Sequence, residues 1–534
     1  MPDWTYHPVR GLASSLLGTR RFQRTALRAT AAVGSLPGGG RLIAGLLGHR
    51  HPPAHLAGSV VGVPVRTRLG AVVPPSVVRD AVRALPLLGA GLIWVTPVRL
   101  ADVPAVREAA AGRRVPLVVG SDVPEVAAAL AADVDAICFG KEPTVVHVTS
   151  PLVAPAVEVL ADPTSAVLAA PSVLIESGPG WFARVTEAAT PIGAPVPAAG
   201  RDPRRWPPWC WGLLVGVAMI VAGVGAAVIT LGPVLLWYDR DFLGMDLGRL
   251  HALDHDLVHF LQHDRITMAG TMIAIGVLYV GLALGGVRRG WPWAREVYLA
   301  SGWIGFASLL YFLGSGFVEP LHTAVTVVLF PMFLLATRRA PDRPRWMARP
   351  EGPERERRRA LVGQLLMVCT GIGLFVGGAV VSVVGLTGVF VPSDVVFLGI
   401  DPDALRAANP RLLPFIAHDR AGFGGALMSA AVAITLLSAW GWRRGASWVW
   451  WSLALAATAG FLPAVLVHGV IHYTDFWHLA PVFLGMGLTL AALVLARPYL
   501  CAREVPTGGR AHRGERQLLR YAGILEADDR ETAR

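Results

Sequence analysis

The chain has 534 residues, 53% of them hydrophobic, and a mean hydropathy of +0.51. This is too apolar for an ordinary soluble protein, and the excess lies between Trp209 and Leu500 in runs of about 20 apolar residues, long enough to cross a bilayer. The net charge of +11 would indicate nucleic-acid binding in a soluble protein, but here many arginines lie in short loops between apolar runs, where they set membrane topology. We therefore predict a multi-pass protein of the cell (inner) membrane, with the lipid bilayer as partner and no nucleic-acid partner.

Residues 1 to 50 are predicted to form basic amphipathic helices, interrupted by the breaker Leu36-Pro37-Gly38-Gly39-Gly40. Helices of this kind lie on anionic membrane surfaces, and a solvated helix pair is the alternative. The segment has no uninterrupted apolar stretch that ends in a small-residue cleavage site, so it does not have the pattern of a signal peptide. We expect the first domain to stay in the cytoplasm.

Residues 51 to 190 alternate short β-branched runs with alanine-rich helical segments. The runs are Val60 to Val63, Gly91 to Thr96, Val115 to Val119, Ala136 to Phe139, Val145 to Val148 and Val173 to Ile175. The helical segments include Ser76 to Leu88 and Val123 to Ala132. Strands that alternate with helices predict a parallel α/β domain.

The beginning of the chain resembles a known family. The basic helices, the Leu-Pro-Gly-Gly-Gly break, Gly62-Val63-Pro64-Val65 and the run Leu87 to Val98 resemble the start of a class 2, quinone-linked dihydroorotate dehydrogenase, over about residues 5 to 185. In that family, basic N-terminal helices form a membrane-docking quinone tunnel ahead of a flavin-carrying β/α barrel. The resemblance implies a partial β/α-barrel-like domain and suggests a quinone or lipid as substrate.

The chain departs from this family where the flavin would bind. The family's Ala-Ala-Gly-x-Asp-Lys-Asn signature is replaced by Leu69-Gly70-Ala71-Val72-Val73-Pro74-Pro75, which has neither the lysine nor the asparagine. A full barrel needs about 250 residues, whereas only about 130 lie between the helices and the next linker. No flavin-binding or catalytic residue of the family can be matched, so FMN is not expected and the domain is interpreted as a shortened, non-catalytic relative.

A proline-rich linker, residues 191 to 208, leads into the apolar half of the chain. Eight transmembrane helices are predicted, at roughly 210–237, 266–286, 297–317, 320–337, 361–390, 421–440, 447–467 and 477–497. Arginine-rich connections alternate with connections that hold most of the acids, so the positive-inside rule places both termini in the cytoplasm. The basic loop 339–360 and the tail 499–534 are then cytoplasmic.

The apolar half contains an internal duplication. The stretch Phe242 to Asp246 (FLGMD) recurs 155 positions later as Phe397 to Asp401 (FLGID), and the triplet His263-Asp264-Arg265 recurs at the same spacing as His418-Asp419-Arg420. After a one-residue slip, Glu319-x-x-His322 corresponds to Asp475-x-x-His478. We predict two tandem four-helix repeats, residues 209–338 and 361–498, related by a pseudo-two-fold axis along the membrane normal.

The duplicated polar residues form the candidate catalytic set: His263, Asp264, Arg265, Glu319, His322, His418, Asp419, Arg420, Asp475 and His478. We pair them within each repeat at its outer end, His263 with the Glu319/His322 pair and His418 with the Asp475/His478 pair. A carboxylate and a histidine three residues apart, opposite a His-Asp dipeptide, can form a metal site or a proton relay. The structural alternative is that the two aspartates cap their helices while the arginines reach lipid phosphates.

Other histidines occur in one repeat only. His251, His255, His259 and His263 recur every four residues and predict the polar stripe of an amphipathic surface helix, either a solvated face or a metal-binding ladder. His468 and His472 extend the candidate metal ligands to His263, His322, His418, His468, His472 and His478. The cofactor stays open: a divalent metal suits such residues, and two bis-histidine haem sites, His263/His322 and His418/His478, are an alternative.

Three classes of function follow from these patterns. The first is a membrane-embedded redox or metal-dependent enzyme that acts on a quinone or lipid at the outer leaflet. The second is a transporter or carrier, favoured by the parallel repeats and disfavoured by the scarcity of charges at the centres of the predicted helices. The third is a non-catalytic membrane scaffold whose N-terminal domain is a pseudo-enzyme.

Overall fold

The structure is a computed structural model that describes residues 2–46, 52–190, 199–311, 316–339 and 352–502. An N-terminal α/β part precedes a helical C-terminal part. Several predicted segments lie partly outside the described residues: the linker at 191–198, the third predicted span at 312–315, the basic loop at 340–351 and the tail from residue 503.

The N-terminal basic segment forms three helices: α1 (His7–Leu17), α2 (Thr19–Ser35) and α3 (Gly39–Leu46). The break between α2 and α3 contains Gly38 at φ 77°, a left-handed conformation that suits glycine. Helix α2 packs on the α/β domain, since a Cβ at Gly34 would lie 2.6 Å from Cδ1 of Leu87.

Residues 58 to 189 form a parallel half-barrel sheet covered by helices. The strands are β1 (Gly58–Val60), β2 (Val63–Val65), β3 (Leu69–Val73), β4 (Leu92–Val95), β5 (Leu117–Gly120), β6 (Ala136–Cys138), β7 (Val145–Val148) and β8 (Ala166–Ala169). The helices are α4 (Val78–Ala84), α5 (Val103–Ala111), α6 (Pro124–Leu130), α7 (Ala154–Leu160), α8 (Pro171–Ser177) and α9 (Trp181–Ala189). The sheet order is β6-β5-β4-β3-β8-β7, all parallel, and β1 and β2 form a separate antiparallel hairpin.

Both faces of this sheet are buried, as is usual for parallel sheets. Every residue of β4, β5 and β8 is buried. One apolar cluster lies between the sheet and its helices, while a second packs Trp94, Val118 and Leu168 against Val60 and Val65 of the hairpin. The predicted α/β class with a partial barrel is therefore confirmed.

The sequence misassigned two runs and missed one strand. The run Val60 to Val63 spans the turn of the hairpin, since Val60 ends β1 and Val63 begins β2. The run Val173 to Ile175 lies in helix α8, because a short β-branched run cannot be told from a buried helix turn by its pattern alone. Leu69–Val73, which was not predicted as a strand, is central strand β3, where Gly70 fits because a Cβ there would lie 2.7 Å from side-chain atoms of both Leu92 and Leu168.

The C-terminal part consists mainly of long apolar helices. They are α10 (Pro208–Leu231), α11 (Trp237–Leu243), α12 (Leu247–Leu253), α13 (His255–Gly281), α14 (Pro292–Ser308), α15 (Pro320–Thr337), α16 (Glu354–Leu386), α17 (Pro392–Leu398), α18 (Pro402–Ala408), α19 (Leu412–Gly441), α20 (Ser447–Val470) and α21 (Phe476–Leu500). Among the described residues, seven helices are long and apolar enough to span a membrane: α10, α13 with its extension to Arg289, α15, α16, α19, α20 and α21. Helix α14, at the third predicted span, has 17 residues and continues as a 3-10 turn, Leu309–Tyr311.

The packing of the helices determines which polar residues meet. Helices α10 and α13 pack together, and so do α16 and α19. The helices that follow α13 and α19 pack across the molecule: α14 packs on α19, and α20 packs on α13. Polar residues on α13 therefore meet residues of α20 and α21. Polar residues on α19 meet residues near α14 and α15.

Candidate functional site

The His-Asp-Arg triplets lie inside their helices. Helix α13 begins at His255, because the Asp254 side chain accepts a 3.0 Å hydrogen bond from the backbone N–H of Leu257. His263 and Asp264 consequently lie in the third turn and are 4% and 3% exposed. In α19, which begins at Leu412, the triplet from His418 to Arg420 is also buried. The alternative that the two aspartates cap their helices is wrong.

The two triplets are tied to each other by ion pairs. Nε of Arg265 lies 2.7 Å from Oδ2 of Asp419, and Nε of Arg420 lies 3.3 Å from Oδ2 of Asp264. These arginines pair inside the protein and do not extend to lipid phosphate. Each aspartate also accepts a 3.0 Å hydrogen bond from Nδ1 of the histidine before it. The carboxylates thus hold both the imidazole of their own helix and the guanidinium of the other.

A further carboxylate meets each arginine. Asp239 Oδ2 lies 3.6 Å from Nη1 of Arg265, and Asp394 forms a short ion pair with Arg420. Burial raises the pKa of Asp239 to about 6, although the Arg265 cation opposes the shift. Sequence reasoning missed both residues, yet Asp239 and Asp394 are 155 positions apart, the same offset as between the two triplets, and this signal could have revealed them.

The same arginines also anchor strained backbone. Arg265 and Arg420 each donate from Nη1 to a carbonyl oxygen at 2.6 Å, that of Val234 and Val389 respectively. These valines have φ of 59° and 65°, a region that β-branched residues rarely adopt. They too are 155 positions apart, so a turn of the same strained conformation lies beside each arginine.

The histidines pair differently from our prediction. His263 lies with His468 and His478, one potential ligand atom from each lying within 4.8 Å of the others, and we call this group the trihistidine site. Glu319 and His322 do not join His263; they group with His418 by the same criterion, and we call this the glutamate site. The histidines group in this way because α14 packs on α19 and α20 packs on α13. The two predicted bis-histidine haem pairs are not formed.

Two imidazole lone pairs face each other in the trihistidine site. Nδ1 of His468 lies 2.6 Å from the carbonyl oxygen of Ala464, which can only accept, so Nδ1 carries the proton and Nε2 is a lone pair. Nδ1 of His263 donates to Asp264 in the same way, which leaves its Nε2 a lone pair. These two Nε2 atoms are 3.0 Å apart. Two lone pairs at hydrogen-bond distance require a cation between or beside them, either a proton or a metal ion.

A tyrosine that sequence reasoning missed orients the third histidine. The Tyr473 hydroxyl donates to Oδ1 of Asp394 at 2.8 Å and lies 3.3 Å from Nδ1 of His478. Since that hydroxyl proton is used by the carboxylate, Nδ1 of His478 donates to the phenol oxygen and its Nε2 is a lone pair. Burial raises the pKa of Tyr473, so the phenol stays protonated.

The glutamate site has a different composition. Glu319 contacts Nδ1 of His322 and lies 3.9 Å from Nε2 of His418, and it accepts a 2.8 Å hydrogen bond from Tyr238. Burial alone would raise the pKa of the Glu319 carboxyl, but the two imidazoles and the Tyr238 hydroxyl hold it at about 2. Tyr311, another residue missed in the sequence, lies 3.4 Å from Nε2 of His418.

Some predicted ligands lie elsewhere. Asp475 caps α21 by accepting a 2.8 Å hydrogen bond from the backbone N–H of His478, and His472 is exposed and outside both three-residue groups. The stripe of His251, His255 and His259 is split between α12 and α13, with the first two exposed. His255 and His259 do approach each other, Nε2 to Nε2, at 3.1 Å.

The trihistidine site opens into a large cavity. The cavity has a volume of about 1330 Å³ and is lined mainly by apolar residues of α16, α19, α20 and α21, with part of α13. His263, His468, His478 and Tyr473 line its polar end. A ligand whose polar group occupies this end would contact the three imidazoles.

No protein-family model, curated protein or solved structure matches the chain.

Proposed function

We propose that the protein is a membrane-embedded, metal-dependent enzyme that acts on a quinone or lipid, with the trihistidine site as its reaction centre. The observation that supports this most strongly is the pair of facing Nε2 lone pairs of His263 and His468, 3.0 Å apart. A divalent metal would resolve their repulsion, because two nitrogens on one Zn²⁺ lie about 3.3 Å apart at Zn–N distances near 2.0 Å.

Three histidine ligands with a cavity on the remaining side are the arrangement of catalytic zinc sites, which keep one position open. A metal bound there supplies a Lewis acid for an oxygen of the substrate. Hydrogen bonds from neighbouring groups orient the three imidazoles: Asp264 and the Ala464 carbonyl fix the tautomers of His263 and His468, while Tyr473 orients His478. The walls of the cavity beyond the centre are mainly apolar.

The glutamate site is proposed as a second centre with a Glu-His-His donor set. Its carboxylate and two imidazoles match common divalent-metal ligands. The ion pairs Arg265–Asp419 and Arg420–Asp264 connect the two sites across the helix pair α13–α19. A charge change at one site is thereby felt at the other.

The proposal includes eight membrane helices in two tandem repeats in the cell membrane, with both termini in the cytoplasm. The contacts of Arg265 with Asp419 and Val234, repeated 155 positions later by Arg420 with Asp264 and Val389, support the repeat. Helix α14 would be the eighth span. For the N-terminal domain we propose a shortened barrel related to the quinone-linked dehydrogenases; β8 pairs with β3, as the last and first strands of a closed barrel would.

Metal analysis of the purified protein tests the reaction centre. We expect about one divalent ion per chain to depend on the trihistidine site. His468→Ala should remove it, whereas His472→Asn should retain it, because His472 is exposed, outside the group, and at φ 59°, which asparagine tolerates. If the wild-type protein neither retains a metal after purification nor binds one that is added, the cation between the two imidazoles is a proton. That result would overturn the metal role.

A further inference from the structure

The shape and charge of the cavity indicate its ligand more closely than the proposed function does. Along α16 its lining runs from Met367 to Val384, about 25 Å at 1.5 Å per residue, and along α21 from Trp477 to Thr489, about 18 Å. One leaflet contributes about 15 Å of hydrocarbon. The cavity is therefore longer than one leaflet.

One side of the cavity opens between α16 and α21. At one end these helices touch, since a Cβ at Gly363 would lie 2.6 Å from the carbonyl oxygen of Ala492. Farther along, no heavy atom of the described residues beyond the local helix backbone lies within 4 Å of a Cβ built at Gly373 or Gly377. Both glycines line the cavity, as do Val380 and Leu484, which are 54% and 64% exposed. An apolar chain can enter sideways through this gap from the bilayer.

Charge at the polar end selects the headgroup. Arg420 is the cationic residue that the described part of the chain places there, and it already pairs with the carboxylates of Asp264 and Asp394. Asp475 adds another carboxylate at the rim. One guanidinium against three carboxylates leaves two negative charges, which a divalent ion at the trihistidine site would cancel. The polar end then has no excess positive charge to hold a phosphate or carboxylate headgroup. The open coordination position of that ion would suit an uncharged oxygen.

We infer that the cavity binds an amphiphile with an uncharged, oxygen-bearing headgroup and an apolar tail longer than one leaflet, which enters from the bilayer between α16 and α21. This inference deepens the proposed function, on which the assignment of the headgroup to the trihistidine site rests. An isoprenoid quinone and a long-chain alcohol share this chemistry, and mass analysis of lipid extracted from the purified protein distinguishes them.

Photo-crosslinking tests the inference with three probes on the full-length protein: a photoreactive alcohol with a twenty-carbon tail, its phosphate ester and an eight-carbon alcohol. We expect the long alcohol to label peptides of α16 and α21 and to outcompete the other two. Gly377→Leu and Gly460→Leu fill the cavity from two different helices, and within the described ranges no atom beyond the local helix backbone lies within 4 Å of either Cβ position. Each should lower labelling about tenfold, the loss expected when about two methylene groups of the tail lose their apolar contacts.

The matched control is Gly225→Leu on α10, a helix position with equal space that does not line the cavity; it should label like the wild type. Metal content is measured on the same samples. Reduced labelling with metal retained supports the inference. Labelling that ignores tail length, headgroup charge and the two leucine variants overturns it. Normal long-alcohol labelling of a protein without metal refutes the metal centre and leaves the ligand class standing.

Discussion

At the scale of single residues, the molecule depends on charges that are buried only because they are paired. Arg265, Asp419, Arg420 and Asp264 all lie within the helices, where an unpaired ion is several kcal/mol less stable. Removing one member leaves its partner as an uncompensated buried charge. Removing both members of a pair avoids that state, so single and double variants should differ in a characteristic way.

Arg265→Met should lower the free energy of unfolding by about 3–5 kcal/mol, because Asp419 loses its cation. The double variant Arg265→Met/Asp419→Leu should lose less than the two single variants together. Unfolding of the detergent-solubilised protein by SDS titration measures both. The exposed Arg240→Met is the charge-matched control and should stay within about 0.5 kcal/mol of wild type. If the double variant loses as much stability as the two single variants together, the ion pair does not stabilise the fold as proposed.

At the scale of helices, glycines set how closely the paired spans approach. A Cβ at Gly223 in α10 would lie 2.8 Å from the carbonyl oxygen of Ala269 in α13, and one at Gly378 in α16 would lie 2.7 Å from that of Gly424 in α19. Such backbone contact is typical of small residues between membrane helices. These contacts set the distance of α13 from α10 and of α19 from α16, and α13 and α19 are the helices that carry the two triplets.

Two adjacent glycines in α16 should therefore respond in opposite ways to the same substitution. Gly378→Ala places a methyl group against backbone and should destabilise the protein by about 1–3 kcal/mol. Gly377→Ala meets open space and should be neutral or up to about 1 kcal/mol more stable, since alanine favours helix. Thermal unfolding in detergent compares them. Equal destabilisation would show that helix context, not the α16–α19 contact, governs both positions.

At the scale of the whole molecule, the N-terminal segment joins the α/β domain to the membrane helices. Asp3 is fully buried; it pairs with Arg184 of α9 and lies 3.1 Å from Nη1 of Arg357 in α16. Glu187 of α9 pairs with Arg443, beyond the end of α19. Sequence reasoning placed the first helices on a membrane surface or in solvent. In the structure Asp3, just before these helices, contacts both the α/β domain and helix α16.

Acid should weaken this connection through His7. Burial and the nearby Arg357 cation lower the pKa of His7 from 6.5 to about 4. The undocked segment then binds a proton that the docked one excludes, so docking is strongest above pH 6.5 and weakens as the pH falls from 6.5 towards 4. The hydrogen-exchange rate of α1, corrected for the intrinsic rate at each pH, should rise as the pH falls over this range. His7→Gln should abolish the dependence, and an unchanged pH profile in that variant would assign it to another group.

The sequence alone was sufficient for the class of the molecule and for part of its site. Apolar runs of bilayer length and alternating strand and helix patterns are local signals, and the corresponding long helices and parallel sheet are present. The 155-residue offset singled out the triplets at His263 and His418, because an internal comparison detects shared constraints without any structure. The same offset contained Asp239 and Asp394, which reasoning from motifs overlooked.

The partners of those residues were decided only by the tertiary structure. A sequence pattern places residues on one helix face, but it does not say which helix packs against that face. Helices α14 and α20 pack across the molecule, so His263 meets His468 and His478 while His418 meets Glu319 and His322. The facing lone pairs of His263 and His468 depend on atoms more than 200 positions apart in the chain. Such contacts follow from packing of whole helices and have no local signature.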